Sequence, residues 1–372
     1  MRHVVLLLLA VSVVHAWYAV APMPAARYGA AAVRVGDEGF VLGGSDASGV
    51  KTRSLLIYHH CNNSWTTGDS MLVARHRFGA CVTGSGVFAF GGWDNGGVLL
   101  GHAEYLPSGG AWTEIESLPT PRGSLMAASV GGRTYAIGGW DGSQPFATVE
   151  EFDPGTGQWT AKRSMPTARS EAAVAVADDL VYVIGGTTDG TDVLDIVEVY
   201  DPAADSWYAR APIPTARAQA GCVEVGGRIC VFGGVGPDLT GSRAVELYEP
   251  ALDTWTTGES LPSPRRSLTG FSLFGTRVYA VGGLDSLLQP TTLNERWDPP
   301  AAIAEPGRPV PAVARTARFC RPGEPLPGPA DIYSALGRRV ARAESTCPDL
   351  APGSYFSRSE ADPAWSRLVV VR

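Results

Sequence analysis

A pair of adjacent glycines recurs six times along the chain, as Gly43-Gly44, Gly91-Gly92, Gly138-Gly139, Gly185-Gly186, Gly233-Gly234 and Gly282-Gly283. Each pair follows a tryptophan (Trp17, Trp65, Trp112, Trp159, Trp207, Trp255) by 26 residues, or by 27 in the last unit. A period of 47 to 49 residues held over six units is a repeat architecture, and it restricts the fold more than any single residue does. One unit runs from Met165-Pro166-Thr167-Ala168-Arg169 through an apolar stretch to Val176, a turn at Asp178-Asp179, and Val181-Tyr182-Val183-Ile184 before the glycines. After a polar loop come Ile196 to Pro202 and then Asp205-Ser206-Trp207. Four short β-rich runs separated by turn residues form a four-stranded antiparallel meander. At this period such units are propeller blades rather than turns of a helical solenoid.

The diglycine, the tryptophan and a segment of aromatic-Asp-Pro type together resemble the kelch repeat. That segment is Tyr105-Leu106-Pro107, Phe152-Asp153-Pro154, Tyr200-Asp201-Pro202, Tyr248-Glu249-Pro250 and Trp297-Asp298-Pro299. The match runs from Trp17 to about Pro300. The fold class is therefore all-β, a six-bladed kelch-type propeller over 17–300. The sixth unit supplies three strands, while an orphan fourth strand stands at Trp17 to Met23. The amino-terminal strand is expected to close the sixth blade and remove an exposed edge.

Residues 1–16 have a basic start, an apolar run from Val4 to Val14 and a small residue at Ala16, the anatomy of a secretory signal peptide. The run is too short for a membrane span. Cleavage after Ala16 leaves Trp17, the first residue the repeat needs. Losing Arg2 and no acid moves the formal charge from −7 to −8, which argues against a nucleic-acid partner.

Proline and few large apolar residues mark 301–329 as a linker. In 330–372, Asp331-Ile332-Tyr333, Leu336 to Val340, Leu350 to Phe356 and Leu368 to Arg372 read as strand, turn, strand, strand. This end resembles the C-terminal sorting domain of bacterial type IX secretion. The resemblance implies export machinery as a partner and a removable tail.

Six cysteines in an exported chain permit disulfides. A two-residue turn at Gly226-Gly227 pairs Val223 with Cys230, placing Cys222 and Cys230 on opposite faces and arguing against a bridge. Cys320 with Cys347 remains an open pairing, and Cys61 and Cys81 have no assigned partner.

The loop entering the first strand and the loop after the second share one face of the disc. The first carries Arg27, Arg75, Arg122, Arg169, Arg217 and Arg265, ten residues after each tryptophan. The second carries Asp46, Asp94, Asp141, Asp189, Asp238 and Asp285. Two readings follow. These are internal ion pairs and loop caps, or some arginines face the channel mouth and receive an acidic ligand. Kelch adaptor proteins that resemble this chain bind acidic peptide segments with arginines at the matching position. Trp93 and Trp140 directly follow the diglycine in blades two and three, where other blades carry Ser45, Thr187, Val235 and Leu284. The repeat does not demand them, and exposed tryptophan beside arginine suits a protein or a glycan ligand.

No catalytic residue, metal site or cofactor is assigned. His59 and His60 point to opposite strand faces, and His76 and His102 read as lone surface histidines. The two-His, two-Tyr and cysteine set of galactose oxidase-like copper radical oxidases does not assemble. The expected function is a secreted or cell-surface module recognising a protein or glycan through one loop face. A sialic acid mutarotase-like enzyme is the alternative, with the arginine ring holding a sugar carboxylate and an acid moving a proton. A structural surface-layer protein is the third.

Overall fold

The computed structural model describes residues 16–300 apart from Ser85, and the backbone of five strands between Ala317 and Val370. The chain divides into two units, Met1–Ala301 and Ala302–Arg372. The assigned signal segment, apart from Ala16, and most of the assigned linker lie outside the described residues.

In the first unit the described strands form six four-stranded antiparallel sheets. Blade four is representative: Ala173–Ala177, Leu180–Ile184, Val197–Asp201 and Ser206–Arg210, in sequence order from hub to rim. Its second strand, LVYVI, is nearly all buried because it packs between two neighbouring blades. The outer strand alternates less and is mostly half-exposed. Clusters such as Tyr182, Ile184 and Val199 with Ile229, Val231 and Tyr248 show blade four sandwiched on blade five. There is no single core, so stability resides in the interfaces between blades.

The tryptophans fasten those interfaces at the rim. Trp65, Trp112, Trp159, Trp207 and Trp255 each donate Nε1–H to a carbonyl of the preceding blade's outer segment, at Ala21, Asp69, Glu116, Arg163 and Ala211, over 2.8–2.9 Å. Trp17 does the same to Glu259 at 2.7 Å.

The diglycines have a hub role. In every blade the second glycine donates its N–H to the carbonyl of the next blade's repeat arginine: Gly44 to Arg75, Gly92 to Arg122, Gly139 to Arg169, Gly186 to Arg217, Gly234 to Arg265 and Gly283 to Arg27. A Cβ on the first glycine would lie 2.3–2.9 Å from that same carbonyl oxygen. Both glycines adopt positive φ in all six pairs. Close approach and backbone conformation thus both require glycine.

The ring closes as the sequence predicts. Tyr18–Ala19 pairs antiparallel with Asn294–Trp297, opposite Arg296 and Glu295. Val20 and Met23 donate to Asn294 and Thr292 at 3.0 and 2.8 Å. Trp17 is 7% exposed and stacks on Trp297 at 5.7 Å between ring centroids.

In blade two the aromatic segment is displaced by one residue from the expected alignment. Tyr105 lies opposite Phe88, whereas Phe152 lies opposite Thr134. Leu106 therefore takes the position held by Phe152, Tyr200 and Tyr248 elsewhere, and the outer strand shrinks to Thr113–Ile115.

Val223 pairs with Cys230, as the Gly226-Gly227 turn dictates, and Cys61, Cys81, Cys222 and Cys230 are free thiols. Cys347 lies outside the described residues. The second unit holds one five-stranded sheet in the order Ala317–Cys320, Ser366–Val370, Gly353–Ser359, Ala330–Ser334, Arg339–Ala343. Its first strand falls in the segment read as linker and pairs in parallel with Ser366–Val370.

Candidate functional site

Each blade's entry loop presents three consecutive residues with three different tasks. They are Arg27-Tyr28-Gly29, Arg75-His76-Arg77, Arg122-Gly123-Ser124, Arg169-Ser170-Glu171, Arg217-Ala218-Gln219 and Arg265-Arg266-Ser267.

The first residue turns inward. All six arginines are 0–4% exposed. Arg75 pairs with Glu104 and Arg122 with Glu150, both at 2.6 Å, and Arg169, Arg217 and Arg265 pair with Glu198, Glu246 and Glu295. The guanidinium groups also donate to hub carbonyls, Arg75 to Gly91 at 3.0 Å and Arg122 to Gly138 at 2.7 Å. Burial lowers the pKa of these five arginines and the paired glutamate raises it in each. Arg27 is the exception. Leu56 stands opposite Val41, where the other blades place glutamate, and burial alone pulls Arg27 down to about 10. The six arginines expected as ligand candidates therefore have almost no surface to offer a ligand. The partners of the other five are third-strand glutamates, not the loop aspartates.

The aspartates serve their own loops. Asp94 Oδ1 accepts from Gly96 and Val98 N–H, both at 2.8 Å. Asp141 accepts from Ser143 and Gln144 N–H at 2.7 Å, bonds that hold its carboxyl below the usual range. These are Asx turns that shape the loop beside each tryptophan.

The second residue of each triplet pairs with the residue after the diglycine. His76 faces Trp93, Gly123 faces Trp140 and Ser170 faces Thr187. Trp93 reaches across to blade three. A Cβ on Gly123 would sit 2.1 Å from the Trp93 Nε1, so the ring lies directly over that glycine. His76 is not a lone surface histidine: its Nδ1 lies 3.0 Å from Ser45 Oγ, and burial foremost, then Arg77, brings its pKa down to about 4.

The third residues ring the channel. Gly29, Arg77, Ser124, Glu171, Gln219 and Ser267 all have φ of 49–59°, the left-handed region. Each N–H donates to the carbonyl of its counterpart in the preceding blade, from Arg77 to Gly29 at 2.8 Å round to Gly29 to Ser267 at 3.0 Å. Above this backbone ring the side chains form a network. Arg77 pairs with Glu171 across the mouth, Gln219 donates to Glu171 at 2.7 Å, and Ser267 donates to Gln219 at 2.5 Å.

A cavity of about 460 Å³ opens over this network, within the range of small-ligand sites. Trp93 and Trp140 form part of its wall with His76 and Ser170, and Arg77, Ser124, Glu171 and Gln219 its floor. Both tryptophans expected at the site are thus brought together. Asp94 and Asp141 stand beside them on the loops. Arg77, Glu171, Gln219 and His76 are the additions. Among the described residues no three His, Cys, Asp or Glu converge on a metal position, and no helix is long and apolar enough to cross a membrane.

Fold and hub together define a six-bladed β-propeller with a polar pocket over its channel. The KLHDC2/KLHL20/DRC7 Kelch-repeats domain matches residues 29–234, over half of the chain, and a Kelch motif matches 216–262. The chain belongs to the kelch-repeat family. No curated protein matches it.

Proposed function

We propose that this protein is a non-covalent recognition module whose ligand, protein or glycan, engages the face carrying Trp93 and Trp140 and enters the pocket above the channel. The kelch propeller makes protein interaction the general expectation. One observation carries the choice of site. Left-handed φ favours glycine, yet only Gly29 supplies it, and five of six hub positions carry polar side chains of differing chemistry. Such strain is retained where the side chain has a use, and four of these chains, Arg77, Ser124, Glu171 and Gln219, share one cavity with two tryptophans that the repeat does not require.

Loop tips on the same face add exposed aliphatics, Val50, Val98, Leu239, Leu287 and Leu288, of which Leu287 is 76% exposed. They extend the surface beyond the pocket and suit a macromolecular ligand. The mutarotase-like alternative assigned its carboxylate to the arginine ring, and that ring is buried.

A cleaved leader at residues 1–16 would carry the protein outside the cytoplasm, and the second unit's sheet suits a sorting or anchoring role. Mass spectrometry of the secreted chain tests both, by showing whether residues 1–16 and the last residues are lost. The binding reading is tested on arrays of glycans and of peptides. The wild type binds a subset, and W93A/W140A loses it while melting normally. Unaltered binding by the double variant would remove the face from consideration.

A further inference from the structure

Resting on that reading, the charge arrangement of the pocket narrows its ligand. The arginines that could have attracted an anion are buried: five are matched to glutamates and Arg27 is sealed from solvent. The one guanidinium on the pocket floor, Arg77, is paired with the one carboxylate there, Glu171, whose side chain is 11% exposed. His76, held against Ser45, is neutral near pH 7. The lining charges cancel. Around the mouth, the capped aspartates Asp46, Asp94, Asp141, Asp189, Asp238 and Asp285 form an acidic rim. An anionic ligand would cross that rim to reach a floor whose one guanidinium is already paired; the further cation that acts on His76 is Lys51, on the loop beside Ser45. A cation would pass the rim but meet Arg77 at the floor.

What remains is a floor of mixed donors and acceptors, Arg77, Ser124, Glu171 and Gln219, under two half-buried indoles. Hydroxyl groups both donate and accept, so a ring bearing several of them matches a floor of fixed mixed polarity. Its C–H face matches an indole. We infer that the pocket seats a neutral pyranose, a hexose or N-acetylhexosamine residue of a glycan, packed on Trp93 or Trp140 with its hydroxyls on the Arg77–Glu171–Gln219 network.

The test uses indole Nε1–H resonances of the ¹⁵N-labelled full chain, since ten tryptophans make bulk fluorescence unselective. Trp93 and Trp140 are assigned with W93F and W140F. The probes are methyl glucoside, galactoside and mannoside, N-acetylglucosamine, glucuronate, N-acetylneuraminate, an acidic peptide and a basic peptide. At least one neutral sugar is expected to shift these two resonances saturably, at least tenfold more tightly than any charged probe. E171Q, which breaks the network while keeping the residue's shape, should weaken that sugar by threefold or more. Tighter binding of a charged probe at the same indoles would overturn the neutral-sugar inference and leave the binding face standing. Shifts confined to other tryptophans would overturn both. No response from any neutral sugar would overturn the inference.

Discussion

Replacing Glu150 by leucine copies into blade three the arrangement that blade one holds at Leu56. Glu150 accepts from Arg122 at 2.6 Å and from Thr120 Oγ1 at 2.8 Å, and is 4% exposed. After the substitution Arg122 keeps its bonds to the carbonyls of Gly138, Thr120 and Ala136 at 2.7, 2.9 and 3.1 Å. Its charge, fully buried, has no counter-ion. Breaking a buried pair from one side costs about 3–5 kcal/mol, while an apolar replacement of both partners is often close to neutral. E150L should therefore lose about 3–5 kcal/mol in urea unfolding, and roughly 10 °C in melting temperature. R122M should lose a similar amount by stranding the carboxylate. The double variant should lose no more than either single one, a coupling above about 2 kcal/mol for residues in direct contact. Additive losses, or an E150L loss below about 1 kcal/mol, would show that Arg122 does not depend on its carboxylate partner. Arg27 would then need no special account either.

Deleting residues 17–24 removes the strand opposite Glu295 and Arg296 together with the Trp17–Trp297 stack, and should lower the melting temperature sharply; an unchanged curve contradicts closure. Ser124 has φ 53° and glycine relieves that conformation, so S124G should stabilise by up to about 1 kcal/mol in urea titration, offset in part by a more flexible unfolded chain. The pKa of His76 is depressed to about 4, so the unfolded state takes up its proton first as pH falls. Its contribution is complete above about pH 6.5 and is lost on descent through about pH 4, roughly 1–3 kcal/mol at most. H76Q should flatten that part of the pH–stability profile, and an identical profile would show that His76 is not held neutral.

Much of the scaffold was legible because it is periodic. The glycine pairs recur wherever a neighbouring carbonyl must approach the backbone, and the tryptophans wherever an outer strand must be fastened to the blade before it. The missing fourth strand of the last unit pointed directly to Trp17. The glutamates were equally periodic, 28–30 residues after their arginines, but the loop aspartates stood closer in sequence and invited the wrong pairing. Proximity along the chain misled because the third strand crosses back beneath the entry loop. The blade-two offset was hidden because Tyr105 preserves the aromatic one residue early. The pocket floor was least visible. Gly29, Arg77, Ser124, Glu171, Gln219 and Ser267 share a backbone role, but their side chains answer to the channel and so do not repeat. Trp93 and Trp140 stand out one loop away for the same reason, as residues that a periodic position does not require.

Hydrogen–deuterium exchange with and without the tightest-binding array ligand, glycan or peptide, tests the site most directly. Added protection is expected at 75–78, 93–98, 122–125, 140–144 and 170–172, segments that wall and floor the pocket. Protection confined to the opposite face, at the hairpin turns around Gly132, Asp178 and Gly226, would contradict that placement.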